Sequence, residues 1–171
     1  MINIFQVQGI PHFFIKPGEG LIRQDESEIY TIIGSCLAVT LWHPKRRIGG
    51  MFHPVLPERQ CVATCENGCA EGFRYVDCGF RLMLRQFEHL GIVPTELSIQ
   101  LFGGSEVVFS ETPSGRMSPG QRNVAAAENV LKNYGLVAQA KEVGGSRGRR
   151  LNFFVHTGEI HSKLLDSLPR W

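Results

Sequence analysis

The sequence predicts an α+β fold: mostly antiparallel sheets in a layered sandwich, with two main amphipathic helices, in a single domain spanning residues 1–171. Three observations carry this. Two segments repeat apolar residues at three- and four-residue steps, the period of a helix face. Several shorter stretches are rich in β-branched and aromatic residues and are bounded by Gly, Pro or Asn turns, as strands are. The chain of 171 residues is the size of one domain able to bury its own core.

Taken in order, strands are expected at 27–31, 35–42 and 47–53, the last two joined by the turn "HPKR". The first helix is "GFRYVDCGFRLMLRQFEHLG", with Phe73, Val76, Phe80, Met83, Leu84, Phe87 and Leu90 on one face and Gly91 as its stop. Strands follow at 96–102 and 107–109. The second helix, "SPGQRNVAAAENVLKNYG", has Ser118 as N-cap, Pro119 at N1, and Val124, Ala127, Leu131 and Tyr134 on its apolar face, and it ends at Gly135. Strands at 136–143, 149–156 and 159–165 complete the chain, with Thr157-Gly158 as a tight hairpin between the last two. Glycine pairs at 103–104 and 144–145 precede serine without a Lys-Ser/Thr step, so they are expected to be turns rather than phosphate cradles.

The composition, 43% hydrophobic and 20% charged, is that of a soluble globular protein. No run approaches the ~18 apolar residues of a membrane span, and the N-terminal residues do not read as a secretory signal. The expectation is a cytoplasmic protein without membrane insertion. A net charge of +2 demands no polyanionic partner. The basic cluster "SRGRR" at 146–150 is expected to be a solvated turn and strand edge, not a nucleic-acid site. Five cysteines in a reducing compartment argue against a disulfide framework and leave a thiol nucleophile, a metal site or plain packing.

One cysteine stands apart. If 43–46 form a four-residue hairpin loop with Pro44 in its turn, Trp42 faces Arg47 and, counting back along both strands, Cys36 faces His53. Opposed residues share a sheet face with Cα atoms roughly 4.5–5.5 Å apart, so an imidazole reaches the sulfur. Gly49-Gly50 is the point where a bulge would shift this register. An imidazolium beside the thiol would lower its pKa and generate thiolate, and the histidine could then protonate a leaving amine. Backbone N–H groups around Gly34, Ser35 and Cys36 are candidates for an oxyanion hole. A cysteine in an apolar strand is usually a small inert core residue, and a strand-end histidine is usually just hydrogen-bonded. Spacing alone leaves both readings open.

The stretch "IIGSCLAVTLWHPKRRIGGMFHPVLP" resembles the signature of the CheD family of bacterial chemoreceptor glutamine deamidases. The similarity continues through "RYVDCGFRLML", "LFGGSEVVF", "GQRNV" and "VGGSRGRRLNFFVHTGEI", from about Lys16 to Ile160. The resemblance implies a protein-glutamine amidohydrolase with Cys36 as nucleophile, His53 as catalytic histidine and Thr31 orienting that histidine. It implies no metal or organic cofactor. The implied substrates are methyl-accepting chemotaxis receptors, whose glutamines lie on long cytoplasmic helical bundles, and the implied partner is the CheC phosphatase. A non-catalytic module that docks on receptors or CheC is the alternative within this scaffold.

The segment 57–79, "PERQCVATCENGCAEGFRYVDC", departs from that family pattern. Cys61, Cys65, Cys69 and Cys78 could together supply four thiolates to zinc or an iron–sulfur cluster, although their spacing is not that of paired C-x2-C knuckles. The expectations are a metal- or redox-sensing cysteine-rich insertion or a thiol-bearing loop.

Overall fold

The computed structural model describes residues 3–7, 9–59, 71–106 and 116–166. In chain order its elements are β1 (Asn3–Val7), β2 (Ile10–Phe14), β3 (Gly20–Arg23), β4 (Glu28–Ile33), β5 (Leu37–His43), β6 (Ile48–Phe52), α1 (Val76–His89), β7 (Ser98–Gly103), α2 (Pro119–Asn133), β8 (Ala140–Val143), β9 (Arg149–Phe154) and β10 (Glu159–Leu164).

The sequence of β5, "LAVTLWH", dictates its place. Side chains alternate across a strand, and here both alternating sets are buried, so β5 must be covered on both faces. Leu37, Val39 and Leu41 join Phe52, Phe80 and Phe87 in a cluster against the two helices. Ala38 joins Ile29, Ile33, Met51, Leu151 and Phe153 in a second cluster between the sheets. The result is three layers: an outer sheet in the order β1-β2-β4-β9-β10, an inner sheet in the order β3-β6-β5-β7-β8, and the helices. Most neighbours are antiparallel; β2 with β4 and β7 with β8 are parallel.

The second helix carries its predicted boundaries, whereas the first starts later than expected: Gly72–Arg74 form a separate 3-10 turn, Tyr75 is extended, and α1 begins at Val76, so Phe73 lies outside it. Ser118 caps α2 by accepting from the Gln121 N–H while the Gln121 side chain accepts from the Ser118 N–H, a reciprocal capping box. Gly91 and Gly135 follow the helix ends in the left-handed conformation. The apolar face of α2 is displaced from the expected one: Tyr134 is exposed, whereas Asn123, Ala126, Ala127, Val130 and Leu131 are buried. Tyr134 lies past the last helical turn and escapes the stripe.

The β5–β6 register differs from the expected one. Strand pairing continues to His43↔Ile48, and the four-residue loop is Pro44 to Arg47. His43 is buried and its Nδ1 accepts the Arg46 N–H at 3.1 Å, while Arg47 adopts φ 51° to close the turn. A left-handed arginine leaves no mark in a sequence, and it sets the loop one residue later than Pro44 alone predicts. The ladder runs unbroken through Gly49 and Gly50, so they form no bulge. They permit close packing instead: a Cβ on Gly49 would meet the Phe153 ring at 2.6 Å, and one on Gly50 the Met83 sulfur at 2.8 Å.

Three strands, β1 to β3, were not anticipated; "GIPHFFIKPGEG" is broken by Pro and Gly and lacks clean alternation. The strand predicted at 136–143 is ordered as strand only from Ala140. The β9–β10 connection is a four-residue turn after Phe154, longer than the expected Thr157-Gly158 step. Arg149 is buried within the basic cluster instead of solvated: its guanidinium donates to Ser105 Oγ at 2.9 Å and to the Gly144 carbonyl at 3.1 Å. The predicted strand at 107–109 lies outside the described residues.

Candidate active site

The site lies where β4, the turn before β5 and the end of β6 meet. Thr31 points inward from β4 and is fully buried. His53 directly follows β6, and its backbone is held on both sides by an N-terminal turn: its N–H donates to the Glu19 carbonyl at 2.9 Å, and its carbonyl accepts from the Gly18 N–H at 2.7 Å. That turn is closed by Glu19 N–H to the Lys16 carbonyl at 3.0 Å and by Lys16 N–H to the Glu19 carboxylate at 2.9 Å.

Thr31 and His53 meet side chain to side chain. The Thr31 hydroxyl donates to the Ile15 carbonyl at 2.8 Å and lies 2.8 Å from His53 Nδ1. A hydroxyl has a single proton. With that proton directed to Ile15, Thr31 accepts from Nδ1–H, which leaves Nε2 without a proton. Nε2 is buried and has no partner among the described residues. Burial lowers the His53 pKa to about 4, and the Ile15 carbonyl, which favours a proton on the ring, offsets this only in part. The ring is therefore a neutral base at pH 7.

Cys36 carries a free, half-buried thiol in the bend before β5. With the register two residues from the expected one, His53 lies level with Ala38, and the Leu37 N–H bonds the Pro54 carbonyl at 3.1 Å. Cys36 sits in the bend one residue before that donor and His53 one residue before its acceptor, so the two residues flank the same backbone link. Burial pushes the Cys36 thiol up, with its own backbone N–H pulling partly the other way. The resting pair is thus thiol and neutral imidazole, not the imidazolium-stabilised thiolate expected from spacing, because desolvation penalises both charged forms.

The turn carrying Cys36 is held through three successive carbonyls. Gly34 O accepts from the Ser105 N–H at 2.9 Å, and Cys36 O accepts from the Gly104 N–H at 2.8 Å. Between them, Ser35 O accepts from Asn123 Nδ2 at 3.1 Å, and the same nitrogen donates to the Val55 carbonyl at 3.1 Å. Sequence reasoning missed Asn123 and the Ile15 carbonyl. The first had a signal: an asparagine three residues before Ala126 and four before Ala127 falls on the buried stripe of the helix. A backbone carbonyl has none.

Of the cysteine-rich segment, Cys61, Cys65 and Cys69 lie outside the described residues. Cys78 is buried on α1. Among the described residues no three His, Cys, Asp or Glu side chains gather as a metal site, and no helix is long and apolar enough to cross a membrane.

A family model described as CheD chemotactic sensory transduction matches residues 55–164. The chain belongs to the CheD family. A relative from Geobacter sulfurreducens named "Probable chemoreceptor glutamine deamidase CheD 2" is 37% identical over 157 residues, covering 92% of each chain. One from Oleidesulfovibrio alaskensis, "Probable chemoreceptor glutamine deamidase CheD", is 36% identical over 162 residues, covering 93% of this chain and 75% of the relative. A third, from Dechloromonas aromatica, is named "Probable chemoreceptor glutamine deamidase CheD 3"; it is 36% identical over 148 residues, covering 86% of this chain and 84% of the relative. The family model begins after Cys36 and His53, but the Geobacter alignment leaves too little of the chain uncovered to exclude them. In this CheD-family chain, Thr31 and His53 are in direct contact, and the Cys36 bend is held by Gly104, Ser105 and Asn123.

Proposed function

We propose that this chain is a cytoplasmic chemoreceptor glutamine deamidase that hydrolyses receptor glutamine carboxamides to glutamate, with Cys36 as nucleophile, His53 as general base and acid, and Thr31 as the group that orients His53. The observation that carries the reading is the Ile15–Thr31–His53 chain, which leaves a bare Nε2 on a histidine whose following residue, Pro54, is hydrogen-bonded to the residue after Cys36.

In this mechanism the Cys36 S–H proton passes to Nε2 as sulfur attacks the carboxamide carbon, so charge separates only as the tetrahedral intermediate forms. The carbonyl electrons move to oxygen, where backbone N–H groups of the 34–36 turn stabilise them. The imidazolium returns its proton to the amide nitrogen, the C–N bond breaks, ammonia leaves and a thioester remains. Water then attacks the thioester with His53 taking its proton, and cleavage of the C–S bond releases glutamate and restores the thiol. Every step is proton transfer or acyl transfer, and the chain's own residues suffice for each. On this reading the substrates are glutamines on receptors' helical bundles, as the family resemblance implies, and the CheC phosphatase is a candidate partner.

The deciding experiment is mass spectrometry of a receptor cytoplasmic fragment incubated with the protein. Each modified glutamine should gain about one dalton, and Cys36→Ala should abolish the gain because the covalent route is gone. Deamidation that survives Cys36→Ala would overturn the assignment.

A further inference from the structure

Asn123 stands on the buried face of α2, 1% exposed, and it belongs to neither sheet. Its side-chain nitrogen has two protons, and they bridge two chain segments that are distant in sequence: Ser35 O, one residue before Cys36, and Val55 O, two residues after His53. Its Oδ1 is buried and has no partner among the described residues. The amide orientation follows from this arrangement, since a flipped amide would set its oxygen against two carbonyls. A buried, unpaired oxygen is unfavourable, so the amide's placement here is governed by its nitrogen.

The Ser35–Cys36 peptide is trans, as all the described peptide bonds are. In a trans peptide the carbonyl and the N–H point to opposite sides. Asn123 draws the Ser35 carbonyl into the protein, so the Cys36 N–H is turned the other way. That N–H has no backbone acceptor among the described residues, and it lies beside its own sulfur, where it favours the thiolate. An N–H adjacent to the attacking sulfur and without a backbone acceptor is placed to serve as an oxyanion donor.

We propose that Asn123 is the positioning residue of the site: its amide ties the Cys36 turn to the His53 strand and turns the Cys36 N–H toward the carbonyl under attack. The proposal rests on the deamidase reading for its kinetic consequence, and on geometry alone for its effect on Cys36 and His53. Asn123 touches no reacting atom. It acts through the peptide plane of Ser35–Cys36 and through the segment that follows His53.

The test compares Asn123→Ala with Val130→Ala, a cavity-forming change in the same helix, about two turns beyond Asn123, whose side chain packs in the helix-side cluster. Both are assayed below their unfolding midpoints, by receptor-fragment deamidation and by iodoacetamide alkylation of Cys36 followed on its peptide. Asn123→Ala should lower kcat by about 10²–10³-fold with KM within about threefold, the scale of losing one oxyanion donor. It should also slow Cys36 alkylation at pH 7 by about tenfold, as the thiol moves away from its base. Val130→Ala should leave both unchanged. The proposal is overturned if Asn123→Ala keeps the wild-type kcat and alkylation rate, or if Val130→Ala reproduces its losses. Alkylation needs no substrate, so a wild-type protein that deamidates nothing would sink the deamidase reading while the alkylation comparison still decides the role of Asn123.

Discussion

At the scale of single residues, the site depends on where one hydroxyl proton goes. The Thr31 hydroxyl donates to the Ile15 carbonyl and accepts from His53, so the histidine tautomer is set by a backbone atom in a segment that sequence reasoning left without structure. Thr31→Val keeps the shape of the side chain and removes the acceptor, and Nδ1–H loses the partner that fixes it. We expect kcat for ammonia release from a receptor fragment to fall by about 10²-fold, the lower end of what a positioned acid–base group contributes, with KM unchanged. Thr31→Ser should restore most of the loss, since it keeps the oxygen. A Thr31→Val enzyme with wild-type kcat would show that Ile15 alone can hold the ring.

At the scale of elements, α2 shows what was legible in the sequence and what was not. Its start and stop were readable, because Ser118, Pro119, Gln121 and Gly135 act locally through the backbone groups they cap or free. Its role at the site was not, because Asn123 acts on Ser35 and Val55, partners that only the packing of the helix on the inner sheet brings within reach. The β5–β6 hairpin divides in the same way: the two strands and the turn between them follow from their apolar runs and Pro44, while the register turns on a left-handed Arg47. The approach of α2 also inverts an ordinary rule. Gly→Ala inside a helix stabilises by up to about 1 kcal/mol, yet a Cβ on Gly120 would lie 2.4 Å from the Gly104 carbonyl oxygen. Gly104 in turn bonds the Cys36 carbonyl. Gly120→Ala should therefore destabilise the protein by about 1–3 kcal/mol, as overpacking does, and reduce deamidation of the folded fraction as well. A raised denaturation midpoint for Gly120→Ala would show that the helix can shift without strain.

At the scale of the whole molecule, the three-layer arrangement determines how stability depends on pH. Covering the inner sheet on both faces leaves His53 1% exposed between the sheets, and its pKa falls from 6.5 to about 4. The unfolded chain gives this ring its ordinary value, so between pH 6.5 and about 4 the unfolded state binds a proton that the folded state refuses. The sign follows: folding stability declines as pH falls through this window and is not reduced further by this group once the folded ring also protonates. Over the full window the linkage amounts to roughly 3 kcal/mol. Urea unfolding of wild type and His53→Gln at pH 7 and pH 4 isolates the effect, because glutamine does not titrate and the other groups are common to both chains. We expect the wild type to lose more stability than His53→Gln on acidification, by roughly that amount, even if the variant is the less stable of the two at pH 7. Equal losses in the two proteins would mean that the ring is protonated in the folded state at mildly acidic pH, and the bare Nε2 on which the catalytic reading depends would then be lost in that same range.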